Sequence, residues 1–154
     1  MSKRSGFTII EVLVAATIIA VLTTIGIVSF RSTNLRARDG KRKADMEQVR
    51  AALELYRSDT SVGNGYYPNV SNNTSAINSF TVMVNALATA GYLSQPVPAD
   101  PVNTGVSKYS YWSLTSLTNP TTYCVCALLE GTTGNSPNGS CGTGTGQFYC
   151  LFNP

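Results

Sequence analysis

The chain reads as an α+β protein in which a long N-terminal α-helix, first membrane-spanning and then amphipathic, packs on a small antiparallel β-sheet. Three observations predict this. Residues 7–30 form a membrane-length apolar run whose only charged residue is Glu11. Residues 31–59 carry apolar side chains at helical spacing. Beyond residue 107, three short segments alternate with period two, separated by turn-forming residues.

The apolar run, Phe7 to Phe30, is long enough to cross a bilayer, at about 36 Å as helix. Lys3 and Arg4 precede it, which by the positive-inside rule places the N-terminus in the cytoplasm. A carboxylate at bilayer depth costs roughly 2.5–3.5 kcal/mol, so Glu11 demands a partner. An acid in the first helical turn also complements the macrodipole. Gly26 is a weak helix position.

From Arg31 to Asp59, the stem helix places Met46, Val49, Leu53 and Tyr56 on one stripe. Asp39-Gly40 interrupts the helical signal and marks a candidate kink. Arg36, Arg38, Lys41, Arg42 and Lys43 form a basic cluster, which reads as a solvated helix face or membrane-proximal anchor. It lacks the interleaved aromatics of a nucleic-acid site, so nucleic acid is a weakly supported partner.

Residues 60–154 form the head. Asn64-Gly65 punctuates its start. A second helix is expected over Ser79–Ala90, with Phe80, Val84 and Leu87 as its stripe and Gly91 as a left-handed cap. Gln95 to Pro101 is a proline-rich connector. The strands are expected at Lys108–Leu114, Thr122–Leu129 and Gln147–Phe152. A Gly/Ser/Thr/Asn-rich loop joins the last two. The aromatics Tyr109, Tyr111, Trp112, Phe148 and Tyr149 read as core and sheet pairs.

Cys124 and Cys126 lie two positions apart on one strand, so they share a face and are poorly placed to bond each other. They are expected to pair with Cys141 and Cys150 in either order. A four-thiolate zinc site is the alternative, though the C-x-C spacing is not the usual knuckle. The cysteines point to an oxidising compartment. So does the composition, since after Asp59 only Asp100, Lys108 and Glu130 are charged. With no histidine in the chain, His-based catalysis and His metal sites are excluded. No nucleophile–base set, phosphate loop or carboxylate dyad stands in a recognisable motif, so an enzyme is not expected.

Lys3, Arg4, Ser5, Gly6, Phe7, Thr8, Ile9, Ile10, Glu11, in that order at the chain start, resemble the N-terminus of type IV pilins and of the pseudopilins of type II secretion. Asp39 to Asp59, and the later order of Tyr-Pro, short helix, Gly-Tyr-Leu, Pro-Asp-Pro and Tyr-x-Tyr, resemble major pseudopilins. The resemblance implies a type IV pilin fold and a leader, residues 1–6, cut after Gly6 by a prepilin peptidase. It implies N-methylation of Phe7 and assembly into a helical homopolymer through Phe7 and Glu11, the acid meeting the Phe7 amine of an adjacent subunit. Because the cut precedes the apolar run, that run stays with the protein, first in the cytoplasmic membrane and then in the core of an extracellular filament.

The implied partners are identical subunits, the peptidase, membrane lipid, and an inner-membrane assembly platform with its ATPase motor. A surface pilus for adhesion, motility or DNA uptake is the leading expectation. A type II secretion pseudopilin, or a membrane-tethered binding module that does not polymerise, are the alternatives. Many pilins carry a proline near residue 28, where this chain has Val28. Major pseudopilins bind calcium near the C-terminus through acidic side chains and carbonyls. The corresponding region offers Glu130 with Asn135 and Asn138, so no metal site is expected.

Overall fold

The computed structural model describes residues 6–70, 76–104, 109–113, 119–137 and 144–153. The chain forms two compact units, one up to Leu35 and one from Arg36 onward. Helix α1, Ile9–Ser58, contributes to both. It runs unbroken through Gly26 and through Asp39-Gly40, where the sequence had marked a candidate kink.

In the first unit, α1 carries the one helix segment, among the described residues, that is long and apolar enough to cross a membrane. Its described large apolar side chains, among them Ile9, Leu13, Ile18, Leu22, Ile25 and Phe30, are exposed. Thr17, Thr23 and Thr24 turn their hydroxyls back onto carbonyls one turn earlier, which satisfies them inside the helix.

In the second unit the rest of α1 packs on a three-stranded antiparallel sheet of order β1-β2-β3, with β1 at Ser110–Ser113, β2 at Tyr123–Leu128 and β3 at Phe148–Phe152. The strands are trimmed versions of the expected segments, and Lys108 and Leu114 lie outside the described residues. Period-two alternation divides the sheet cleanly. Tyr111, Tyr123, Val125 and Ala127 join Met46, Val49 and Leu53 of α1 in the main core. Cys124, Cys126 and Cys150 face the other way, with Phe148 and Phe152 against them. β2 is buried on both faces.

Helix α2, Ala76–Thr89, adds Phe80, Met83, Val84 and Leu87 to the main core. It ends as the sequence predicts. Gly91 has φ +86°, the Tyr92 N–H reaches the Leu87 carbonyl, and the Gly91 N–H reaches that of Ala88, a Schellman cap. Asn64 and Gly65 are likewise left-handed, at φ 48° and 88°.

Close backbone pairing holds the described residues of the loop after β2. Gly134 bridges Gly146, and Ser136 bridges Phe148. A Cβ on Gly134 would lie 1.9 Å from the Phe148 carbonyl oxygen, so only glycine fits. Asn135 donates through Nδ2 to the Cys150 carbonyl at 2.7 Å and accepts the Cys150 N–H at 2.7 Å.

The stem and head are tied by a buried charge network. Arg42 is fully buried, which departs from the solvated-face reading of the basic cluster. Its guanidinium grips Asp100 with two donors, Nε at 2.7 Å and Nη2 at 3.1 Å. It also pairs with Asp39 at 3.0 Å and with Glu130. Arg38 holds the other Glu130 oxygen at 3.2 Å, and Lys43 lies over the Tyr149 ring. Burial pushes the Asp39 and Asp100 carboxyls up, but their hydrogen bonds outweigh it. The N–H groups of Glu130 and Gly131, with Arg42 and Thr132, hold Asp39 below the usual carboxylate range. Arg42 and the N–H groups of Val102 and Asn103 do the same for Asp100.

Two outcomes follow. Arg42→Met keeps the bulk but takes the guanidinium from Asp39 and Asp100 and leaves Glu130 with Arg38 alone, and it is expected to cost about 3–5 kcal/mol in urea unfolding of the protein. Asp39 and Asp100 titrate lower folded than unfolded, so their contribution is complete above the unfolded value of 3.8. It drains as the pH falls through 3.8 and below, because the unfolded chain takes up protons first. Acid titration followed by Trp112 fluorescence should therefore show stability falling in that window, with a smaller fall in Asp100→Asn.

Candidate functional site: the N-terminal segment

The Gly6–Phe7 bond sits before the helix starts. Residues 6–8 are non-helical, Gly6 has open space around its Cα, and Phe7 is 89% exposed. A peptide bond in this setting is outside the helix and reachable, as proteolysis requires.

Helix α1 begins with a capping box that the sequence reading missed. Thr8 is the N-cap, and its hydroxyl accepts the Glu11 N–H at 3.3 Å. The Glu11 carboxylate accepts the Thr8 N–H and the Thr8 hydroxyl, both at 2.8 Å. The signal was present in the sequence: Thr-x-x-Glu before an apolar run is the capping-box pattern. The structure thus brings Glu11 to Thr8 within its own chain, which satisfies the acid locally and fixes where the helix starts. Both bonds fall on Oε2, so among the described residues Oε1 has no recorded donor.

The cysteine region is built by strand register. Cys126 and Cys150 are direct cross-strand partners, and their sulfurs are bonded at 2.07 Å. Cys124 lies on the same face, its sulfur 3.4 Å from that of Cys126, and is also disulfide-bonded. Cys141 lies outside the described residues. Of the two orders left open, the observed bond is the one that goes with Cys124–Cys141. The loop it closes, 24 residues, is worth about 3 kcal/mol in the chain-entropy model. Cys124, Cys126 and Cys150 sulfurs cluster within 4.8 Å, but a disulfide offers no thiolate to zinc.

In the region implied for calcium, the described side chains Glu130 and Asn135 do not fit that ion. Both Glu130 oxygens are engaged by arginines, and the Asn135 amide is spent on Cys150. Asn138 lies outside the described residues.

Residues 1–27 match the prokaryotic N-terminal methylation motif, the prepilin-type N-terminus of type IV pilins and pseudopilins. No curated protein and no solved structure matches the chain. The motif supports a type IV pilin-like or pseudopilin protein and points to a structural subunit rather than an enzyme. The α+β arrangement of a long apolar N-terminal helix with a small antiparallel sheet is consistent with the pilin fold. A prepilin-type N-terminus with an apolar helix fits membrane anchoring.

Thr8→Ala removes the cap and is expected to cost about 1 kcal/mol of first-turn stability. Amide exchange of Ile10 and Glu11 in micelles should quicken by roughly fivefold, with Thr8→Ser close to the parent.

Proposed function

We propose that the chain is the structural subunit of a type IV pilus. In this reading a prepilin peptidase cuts after Gly6, and Phe7 is N-methylated. The subunit waits in the cytoplasmic membrane, and an assembly platform with its ATPase motor extracts it into a surface filament for adhesion, motility or DNA uptake. The observation that carries the reading is a prepilin-type N-terminus fused to a helix whose described large apolar side chains from Ile9 to Phe30 are uncovered. Such a surface needs lipid first and then copies of itself. Glu11, whose recorded bonds all fall on Oε2, is the assembly contact in this scheme, with Phe7. The Cys126–Cys150 bond and the loss of free acids around Glu130 favour a surface pilus over a secretion pseudopilus.

The pseudopilin reading rests on the likeness of residues 39–111 to that branch. The two differ in location. Sheared surface filaments whose subunit sequence begins at Phe7 support the pilus, and a polymer confined to the envelope supports the pseudopilus. Glu11→Ala should leave cleavage intact by mass spectrometry yet cut filament yield at least tenfold. Normal yield would remove Glu11 from assembly, and a membrane-bound monomer in the parent would favour the tethered module.

A further inference from the structure

Three acids from three separate segments meet at one point: Asp39 of α1, Asp100 of the connector, and Glu130 of the loop after β2. Convergent carboxylates supply the hard oxygen donors that a divalent cation takes. Here a guanidinium fills the point instead, on the fully buried Arg42. Every carboxylate oxygen is committed within the protein. Asp39 Oδ1 accepts Arg42 and the Glu130 N–H, and its Oδ2 accepts the Gly131 N–H and the Thr132 hydroxyl. Asp100 Oδ1 accepts Arg42 and the N–H groups of Val102 and Asn103, and its Oδ2 accepts Arg42. Glu130 takes Arg42 on one oxygen and Arg38 on the other.

We propose that Arg42 is a built-in cation standing where a divalent ion would otherwise bridge these segments. The head then closes without calcium, and removal of Arg42 creates a calcium site. The charge count agrees. Three carboxylates against Arg38 and Arg42 leave one formal negative charge, which the surrounding N–H donors offset. Without Arg42 two negative charges face each other in a protein interior, a setting that draws a divalent ion.

The test uses the full chain in detergent micelles, unfolded thermally with either EDTA or millimolar calcium chloride. The parent is expected to melt at the same temperature in both. Arg42→Ala should melt at least about 10 °C lower in EDTA and recover about 5 °C or more with calcium. Arg42→Ala/Glu130→Gln should lose most of that recovery. Terbium luminescence sensitised by the tyrosines gives a second readout, absent in the parent and present in Arg42→Ala. Where Arg42→Ala does not fold in EDTA, calcium in the refolding buffer must rescue its soluble yield. A parent stabilised by calcium, or an Arg42→Ala protein indifferent to it, overturns the proposal. Filament formation enters none of these readouts, so the polymer reading stands or falls separately.

Discussion

The head depends on one buried guanidinium. Arg42 belongs to α1, yet its three acid partners include one from the proline-rich connector and one from the loop after β2. Neither Asp100 nor Glu130 lies in a helix or strand that would fix it. A charge withdrawn from water is costly unless every donor is used and every partner is held. Here all three guanidinium nitrogens of Arg42 donate, in four bonds, and Asp39 and Asp100 take backbone N–H groups besides. The requirement works as a geometric filter, since only a connector and loop in the right place leave no charge stranded.

A second layer repeats the principle with neutral donors. The four acids of the stretch from Asp45 to Asp59 each accept a tyrosine hydroxyl from the head. Tyr109 reaches Asp45, Tyr149 reaches Glu47, Tyr67 and Tyr123 reach Glu54, and Tyr92 reaches Asp59. The rings lie in or against the main core and contact one another, as in the edge-on pair Tyr67–Tyr123. Each tyrosine therefore contributes apolar area to the interior and a donor to the margin. This explains how a head with so few charges of its own is matched to a stem rich in them.

Much of this was legible in the sequence, and the exceptions share a cause. The stripe of Met46, Val49 and Leu53, the Gly91 cap and the alternation of β2 and β3 are local patterns, so short-range periodicity finds them. The placement of Cys124 and Cys126 on one face followed from the same period. Arg42 was misread because two of its three acid partners lie 58 and 88 residues away, and a basic cluster looks alike whether solvated or paired. At the N-terminus, attention to a partner for Glu11 in another molecule hid the nearer one, Thr8, three residues back. Neither residue departs from its local pattern; what sets them apart is whom they meet.

The clamp formed by Asn135 has a consequence for a molecule stored at high density. β3 is an outer strand of the sheet, and an outer strand with free N–H and C=O groups is a template for another chain. Asn135 and Ser136 take up the outward groups of Phe148 and Cys150, the amide of one side chain imitating a neighbouring strand. The opposite margin, β1, is four residues long and lies beside α2. Crowded copies of the chain are thereby denied this route to irregular sheet-to-sheet aggregation.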